Sequence, residues 1–273
     1  MSELASGASM QTTAPGRADE RIVQVGPIAA RVLVAGTGEP LLFLHGAGGL
    51  WWDPFLDELS RHHTVHAVEH PGANVSEDLD HLPGLWELVL FYDELLDALG
   101  LDSVRVVGHS FGGMVAAELA ANSPRRVSRL VLLCPVGFWR EDHPIPDIAG
   151  IPPDTLPQLV LADPEGPLAA ALTPPADDPQ ALFEAALRMA SILHFIWPLP
   201  DKGLVRRIHR VSAPTLLVWG EQDRLVDPAY AEEFTSRLRD SRLALVPDAG
   251  HLPQLEQTGA VLARVLPFLE GRS

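Results

Sequence analysis

Ser110 stands in Gly108-His109-Ser110-Phe111-Gly112-Gly113, directly after the β-branched run Ser103-Val104-Arg105-Val106-Val107. The small-residue stretch Met114-Val115-Ala116-Ala117-Glu118-Leu119-Ala120 follows. A strand that turns at a glycine-flanked serine into a helix is a nucleophile elbow, in which the hydroxyl projects above the sheet. Glycine is needed on both sides because a Cβ there would collide with the neighbouring strand or helix. A serine hydroxyl is a weak nucleophile near neutral pH and requires a general base oriented by a third group. Two later segments offer these partners in the order Ser, Asp, His: Trp219-Gly220-Glu221-Gln222-Asp223 and Asp248-Ala249-Gly250-His251, each after an apolar run. Ser110 is therefore the expected nucleophile, His251 the base, and Asp223 the acid that holds the imidazole in its working tautomer. Asp227 and Asp248 are nearby substitutes for Asp223. Asp248 is so close in sequence to His251 that reaching the far ring nitrogen would need a special turn.

Attack on a carbonyl makes an oxyanion, which needs two backbone N–H donors. The residue after the nucleophile, Phe111, is expected to supply one. The other is expected from the loop His45-Gly46-Ala47-Gly48-Gly49, with Ala47 as the donor and Gly48 as the fallback. Trp51, Trp52, Phe138, Trp139, Phe195 and Trp197 flank the inferred mouth of this site or lie in the segment expected above it. Of the candidate pocket residues, Gly48, Trp51, Trp139, Phe195, Trp197 and Leu252 predict an apolar pocket for an aliphatic or aromatic acyl or alcohol group.

Elements must carry these residues to one place. Short apolar runs alternate with helix-period segments, which predicts βα units around a mostly parallel sheet. Arg21 to Val25 and Ala29 to Ala35 predict an opening antiparallel hairpin turning at Gly26-Pro27. Leu41 to Leu44, Thr64 to Val68, Leu130 to Cys134, Thr215 to Trp219 and Leu243 to Val246 predict further strands. Asp53-Pro54 starts a helix with a capping aspartate. Leu85, Leu88, Tyr92, Leu95, Leu96 and Leu99 recur at helical spacing, and Gly100 supplies the stop. A final amphipathic helix carries Val261, Leu262, Val265 and Leu266, with Pro267 expected to end or kink it. Between about Gly137 and Asp201 there are many prolines and no strand signal, only helix-like pieces such as Gln180 to Ile196. The expected organisation is a leader over residues 1–19, a core domain over 20–136 and 202–273, and a helical cap over 137–201.

These motifs resemble the α/β-hydrolase-fold superfamily, in its capped, cofactor-free serine hydrolase group. His45-Gly46-Ala47-Gly48, Gly108-His109-Ser110-Phe111-Gly112-Gly113, Gly220-Glu221-Gln222-Asp223 and Gly250-His251 match the family's motifs in order, over about Arg21 to Leu269. The resemblance implies an eight-stranded, mostly parallel sheet with helices on both faces and an inserted helical cap. It also implies no cofactor. Where the family has Asp-x-Pro-Gly-x-Gly-x-Ser, this chain has Glu69-His70-Pro71-Gly72-Ala73-Asn74-Val75-Ser76. Asn74 replaces a glycine, and asparagine is the non-glycine residue that best tolerates a positive φ. Related epoxide hydrolases and dehalogenases use an aspartate nucleophile where Ser110 stands. Epoxide hydrolases also use cap tyrosines, whereas Tyr92 and Tyr230 lie outside the expected cap.

The expected activity is hydrolysis of carboxylic esters through an acyl-Ser110 intermediate, slowing as the histidine base is protonated below about pH 6–7. The runner-up is carbon–carbon bond hydrolysis of ring-cleavage products (2-hydroxy-6-oxo-dienoate type). Such enzymes resemble this chain but have Asn before the serine and Trp after the histidine, where His109 and Leu252 stand. Arg140 or Arg188 could meet the carboxylate of such a substrate. A non-catalytic small-molecule receptor on the same fold is the second class of reading.

Composition narrows the partners. The chain has 273 residues, 47% of them hydrophobic, and a net charge of −16, which disfavours nucleic acid and anionic membranes. The partner expected is a small-molecule ester or related carbonyl compound, with a homodimer as a further expectation. The single cysteine, Cys134, excludes an internal disulfide and reads as a buried structural thiol. Residues 1–19 lack a basic start and an apolar run, so they read as a disordered leader and not a signal peptide, which predicts a cytoplasmic protein. No uncharged stretch approaches the roughly 20 residues of a membrane helix. His62, His63, His66 and His70 invite a metal reading, but residues on a strand alternate faces and cannot converge on one ion, so no metal is expected.

Overall fold

The computed structural model describes residues 18–73, 76–152 and 154–272. Of the expected leader, only Ala18 and Asp19 fall among them, and Asp19 opens the first strand. Asn74 lies outside the described residues. The chain runs β1 (Asp19–Val25), β2 (Ile28–Ala35), β3 (Pro40–Leu44), α1 (Pro54–Ser60), β4 (Thr64–Val68), α2 (Leu85–Ala98), β5 (Val104–His109), α3 (Phe111–Asn122) and β6 (Val127–Leu133). It continues through α4 (Leu156–Val160), α5 (Pro167–Leu172), α6 (Pro179–Ile196), β7 (Thr215–Gly220), α7 (Ala229–Arg237), β8 (Ser241–Val246), α8 (Pro253–Glu256) and α9 (Thr258–Leu269).

Uninterrupted apolar strands must be covered on both faces, and period-2 alternation divides their side chains between two layers. Leu41, Phe43, Val107, Val131, Leu133 and Val218 pack with Phe55 and Leu59 of α1 and Val261 and Val265 of α9. Leu42, Leu44, Val106, Leu130, Leu132 and Leu217 pack on the opposite face with Leu95 of α2 and Val115 and Leu119 of α3. The protein is an α/β-hydrolase fold. Its strand order among the described residues is β1-β2-β4-β3-β5-β6-β7-β8. β1 and β2 pair antiparallel, as does β2 with β4, and every later pair is parallel. The order reverses around β3, so the loops after β3 and β5 leave the sheet on either side of a crevice, the usual ligand position in such sheets.

Local signals explain the element ends. The Asp53 carboxylate accepts from Leu56 N–H at 2.8 Å and caps α1. Pro267 does not end α9, which runs two residues further. It falls in the last turn, where a missing N–H forfeits one bond, and Glu270 N–H and Gly271 N–H still close the terminus on Leu266 and Phe268. β1 and β8 are the edge strands among the described residues, and Leu243 and Leu245 are exposed on β8.

Between β6 and β7 the described residues hold α4, α5, α6 and short 3₁₀ turns, and no strand. The α4 segment is stitched to the body. His251 N–H donates to Val160 carbonyl at 2.8 Å and Arg224 N–H to Leu159 carbonyl at 3.2 Å. At the far end of α6, His194 Nε2 donates to Leu82 carbonyl at 2.8 Å.

Candidate active site

Ser110 occupies a positive-φ conformation (φ 53°, ψ −115°) between β5 and α3. That backbone is strained for a non-glycine residue and persists only where the surroundings enforce it. They do so by close approach. A Cβ on Gly108 would lie 2.5 Å from Gly112 carbonyl, and one on Gly112 would lie 2.2 Å from Leu44 carbonyl at the end of β3. Only glycine lets the strand, the helix and the neighbouring strand crowd together here. The Ser110 N–H is tied to Leu133 carbonyl at 2.9 Å, which anchors the turn on β6.

Three side chains that are far apart in sequence meet at this rim. His251 Nε2 lies 2.8 Å from Ser110 Oγ, and His251 Nδ1 lies 2.8 Å from Asp223 Oδ2. All three residues are buried. The other Asp223 oxygen accepts from Leu225 N–H at 2.9 Å and Val226 N–H at 2.8 Å, so the carboxylate is aimed as well as placed. The substitutes go elsewhere: Asp227 pairs with His143 at 3.0 Å on the surface, and Asp248 contributes its backbone carbonyl to Gln257. The loops bearing Asp223 and His251 are mutually braced, since Gln222 N–H donates to Ala249 carbonyl at 2.9 Å.

Residues outside the sequence expectation complete the frame. The Glu256 carboxylate accepts from Gly250 N–H (2.8 Å), Leu252 N–H (3.3 Å) and Ala162 N–H (2.7 Å), holding both flanks of His251 and the α4 segment together. Burial raises the Glu256 carboxyl above its ordinary value, opposed by those three donors. The visible signal is an acid in the first turn of a short helix begun by Pro253, placed to reach back toward the helix entry. His109 Nε2 donates to the His251 carbonyl at 2.7 Å, and burial, then the neighbouring His251, pushes its imidazole down to about 3. Cys134 is fully buried, and burial with the adjacent Asp223 charge pushes its thiol well above the usual range. Donor atoms of Cys134, Asp223 and His251 lie within 4.8 Å of one another, the metal-type cluster among the described residues. The Asp223 and His251 atoms of that cluster are already engaged in hydrogen bonds.

Phe111 is the first residue of α3, so its N–H has no intrahelical acceptor and sits at the positive end of the helix. Ala47 and Gly48 line the same cavity as Ser110 and His251. That cavity is about 1390 Å³, above the usual range for a small-molecule site. Trp51, Trp139, Trp197 and Leu252 also line it. Phe195 does not: it is buried on the body side of α6, stacked on Phe111 with ring centroids 6.0 Å apart. Ile192, Leu193 and Ile196 of the same helix line the cavity, while the Phe195 ring is taken up by its stack on Phe111. Phe138 packs against Phe234 at 4.2 Å in the core. Arg188 of α6 lines the cavity and lies over Gly49, whose added Cβ would be 2.6 Å from Arg188 Cδ. Arg140 is engaged with Asp142 and with Ala229 carbonyl. Glu69, standing where the expected motif has aspartate, pairs with Arg31 at 3.0 Å.

No helix among the described residues is long and apolar enough to cross a membrane. A sequence profile described as the alpha/beta hydrolase family matches residues 41–265. The chain is 30% identical to the dihydrolipoyllysine-residue acetyltransferase component of an acetoin cleaving system from Cupriavidus necator, over 86% of this chain but 65% of that longer protein. It is 27% identical to a 2-hydroxy-6-oxo-2,4-heptadienoate hydrolase from Pseudomonas putida, covering 91% of this chain and 95% of the relative. It is 32% identical to a pimeloyl-[acyl-carrier protein] methyl ester esterase from Nitrosomonas europaea, covering 81% and 91%. The solved structure of a 2-hydroxy-6-oxo-6-phenylhexa-2,4-dienoate hydrolase from Rhodococcus sp. strain RHA1 is similar with a TM-score of 0.73 at 21% identity, over 93% of this chain and 99% of its own, a likeness of fold.

Proposed function

The chain belongs to the alpha/beta hydrolase family, and from that premise we propose that it is a serine hydrolase cleaving carboxylic esters of largely apolar substrates through an acyl-Ser110 intermediate. The observation that carries this reading is the continuous hydrogen-bond line from Asp223 through His251 to Ser110, at 2.8 Å in both steps. The neutral His251 keeps its proton on Nδ1, donated to Asp223, and offers its Nε2 lone pair to the Ser110 hydroxyl. As Oγ bonds to the ester carbon, its proton passes to Nε2. The carbonyl pair becomes an oxyanion, received by the N–H groups of Phe111 and Ala47. Collapse of that adduct breaks the carbon–oxygen bond, and the leaving alkoxide takes the proton from Nε2. A water then repeats the sequence on the acyl-enzyme and frees the acid. The large, mainly apolar cavity suits the acyl or alcohol portion, and a methyl ester esterase stands among the relatives.

One observation favours a second reading. Arg188 places a cation in the cavity beside the Gly46–Gly49 loop, where the carboxylate of a ring-cleavage dienoate would be received, and several relatives are dienoate hydrolases. Glu184 approaches that guanidinium at 3.9 Å, and His109 and Leu252 stand where those enzymes are expected to carry Asn and Trp, so ester cleavage ranks first.

The deciding experiment measures turnover of p-nitrophenyl esters of rising acyl length beside a 2-hydroxy-6-oxo-dienoate. Wild-type protein should turn over the esters and be labelled by a fluorophosphonate. Ser110→Ala should lose labelling and at least about 10⁴-fold in kcat. Ester turnover surviving in Ser110→Ala defeats the mechanism. Turnover of the dienoate alone transfers the assignment to carbon–carbon hydrolysis.

A further inference from the structure

Resting on the ester-hydrolase reading, we propose that Tyr92 and His70 are positioning residues for the oxyanion site, acting through His45 to orient the peptide that carries the Ala47 N–H. Both lie outside the Ser110–His251–Asp223 line, and each hydrogen bond in their chain dictates the next. The His70 backbone N–H donates to His45 Nε2 at 3.1 Å, so that nitrogen carries no proton. The remaining proton is on His45 Nδ1, which donates to Gly46 carbonyl at 2.6 Å. His70 Nε2 lies 2.8 Å from the His45 carbonyl, a group that only accepts, so the His70 proton is on Nε2. His70 Nδ1 is then an acceptor, and the Tyr92 hydroxyl donates to it at 2.5 Å. Both imidazoles are fully buried, and burial holds them neutral: His70 is pushed down to about 4, His45 well below its ordinary value.

The consequence follows from peptide geometry. In a trans peptide the carbonyl and the N–H point opposite ways. The His45 ring and Gly49 N–H (3.2 Å) both hold the Gly46 oxygen, so the Ala47 N–H of the same peptide points away from them. The His70 ring holds the preceding carbonyl in the same manner. That ring also packs edge-to-face with Phe111, ring centroids 4.9 Å apart, so the two residues that would supply oxyanion donors are registered on one buried imidazole. The His45 carbonyl fixes the His70 proton on Nε2, and the Tyr92 hydroxyl, bonded to Nδ1, fixes the direction in which that N–H points. Without the phenol donor the ring keeps its tautomer but is held at one nitrogen only, so its grip on the His45 carbonyl, and with it the loop, loosens.

Tyr92→Phe keeps the ring and removes only the donor. With a p-nitrophenyl ester, kcat should fall about tenfold while KM stays within about twofold, because the interaction lost is made mainly in the transition state. A boronic acid that forms a tetrahedral Ser110 adduct should weaken by a similar factor. Long-range ¹⁵N–¹H spectra of the wild-type protein should show His45 protonated at Nδ1 and His70 at Nε2, a readout independent of whether the variant folds. Wild-type kcat and boronate affinity in a folded Tyr92→Phe, or His70 protonated at Nδ1 in the wild type, overturns the proposal. If the wild-type protein hydrolyses esters and labels at Ser110 while either of those results is found, the positioning role alone fails. If the wild type neither labels nor turns over, the underlying reading fails with it.

Discussion

At Asp223 the two carboxylate oxygens have different duties, one held by the N–H groups of Leu225 and Val226 and the other presented to His251. Replacing the carboxylate by an amide keeps the volume but offers an N–H where an acceptor is required, which favours the imidazole tautomer with its proton on the wrong nitrogen. Asp223→Asn should therefore lower kcat for an aryl ester by about 10⁴-fold with little change in KM. Asp227→Asn should stay near wild type, because that carboxylate faces His143 on the surface. Equal losses in the two variants would remove the distinction between them. In the sequence both aspartates follow the same apolar run. Only the turn after β7, with its backbone donors, selects one of them.

At the scale of elements, the reach of α8 back over the loop before it decides how firmly His251 is held. Glu256 serves three N–H groups from two separate segments, and among the described residues no other side chain ties the His251 loop to the α4 segment in this way. Truncation strands these donors, at a cost of about 2–4 kcal/mol. For a chain of this size, Glu256→Ala should lower Tm by roughly 5–10 °C and also lower kcat. Calorimetry beside steady-state kinetics checks both; an unchanged Tm would show that the carboxylate is replaceable there. The α6 face makes a second statement about elements. Residues 192, 193 and 196 look into the cavity while Phe195 looks into the body, so aromatic character alone misplaced Phe195 in the pocket. Trp139 and Trp197 do line the cavity, and Trp139→Ala and Trp197→Ala should change the ratio of kcat/KM between long- and short-chain esters. Identical chain-length profiles would remove both from the substrate's path.

Over the whole molecule, the buried histidines set the response to acid. Burial lowers His45, His63, His66, His70 and His109, with His70 near 4 and His109 near 3. The unfolded chain takes up these protons near pH 6.5 and the folded chain at lower pH, far lower for His45, His70 and His109, so stability falls as pH drops from about 6.5 toward 4. Each ring kept neutral two pH units below its unfolded value costs about 2–3 kcal/mol. Asp53 works in the opposite sense. Burial lifts its carboxyl to about 6, so its contribution is lost as pH rises between about 4 and 6. The imidazoles outnumber it, and Tm should fall by roughly 10 °C or more from pH 7 to pH 4.5. A flat or rising Tm over that interval would mean that these rings are not held neutral.

Much of this was legible along the chain because the signals are local. The strand–serine–helix texture around Ser110, the apolar runs and the order of Ser110, Asp223 and His251 are written in consecutive residues, and backbone sterics at Gly108 and Gly112 leave the chain little alternative there. The fold class follows from that periodicity. What only the tertiary structure decided are relations between segments distant in sequence: that Asp223 and not Asp227 reaches His251, that Glu256 clamps its loop, that Phe195 turns inward, and that Tyr92 and His70 grip the His45 turn. Such contacts depend on direction and on distances of a few ångströms across the packed sheet, and residue types arranged along a line do not carry that information.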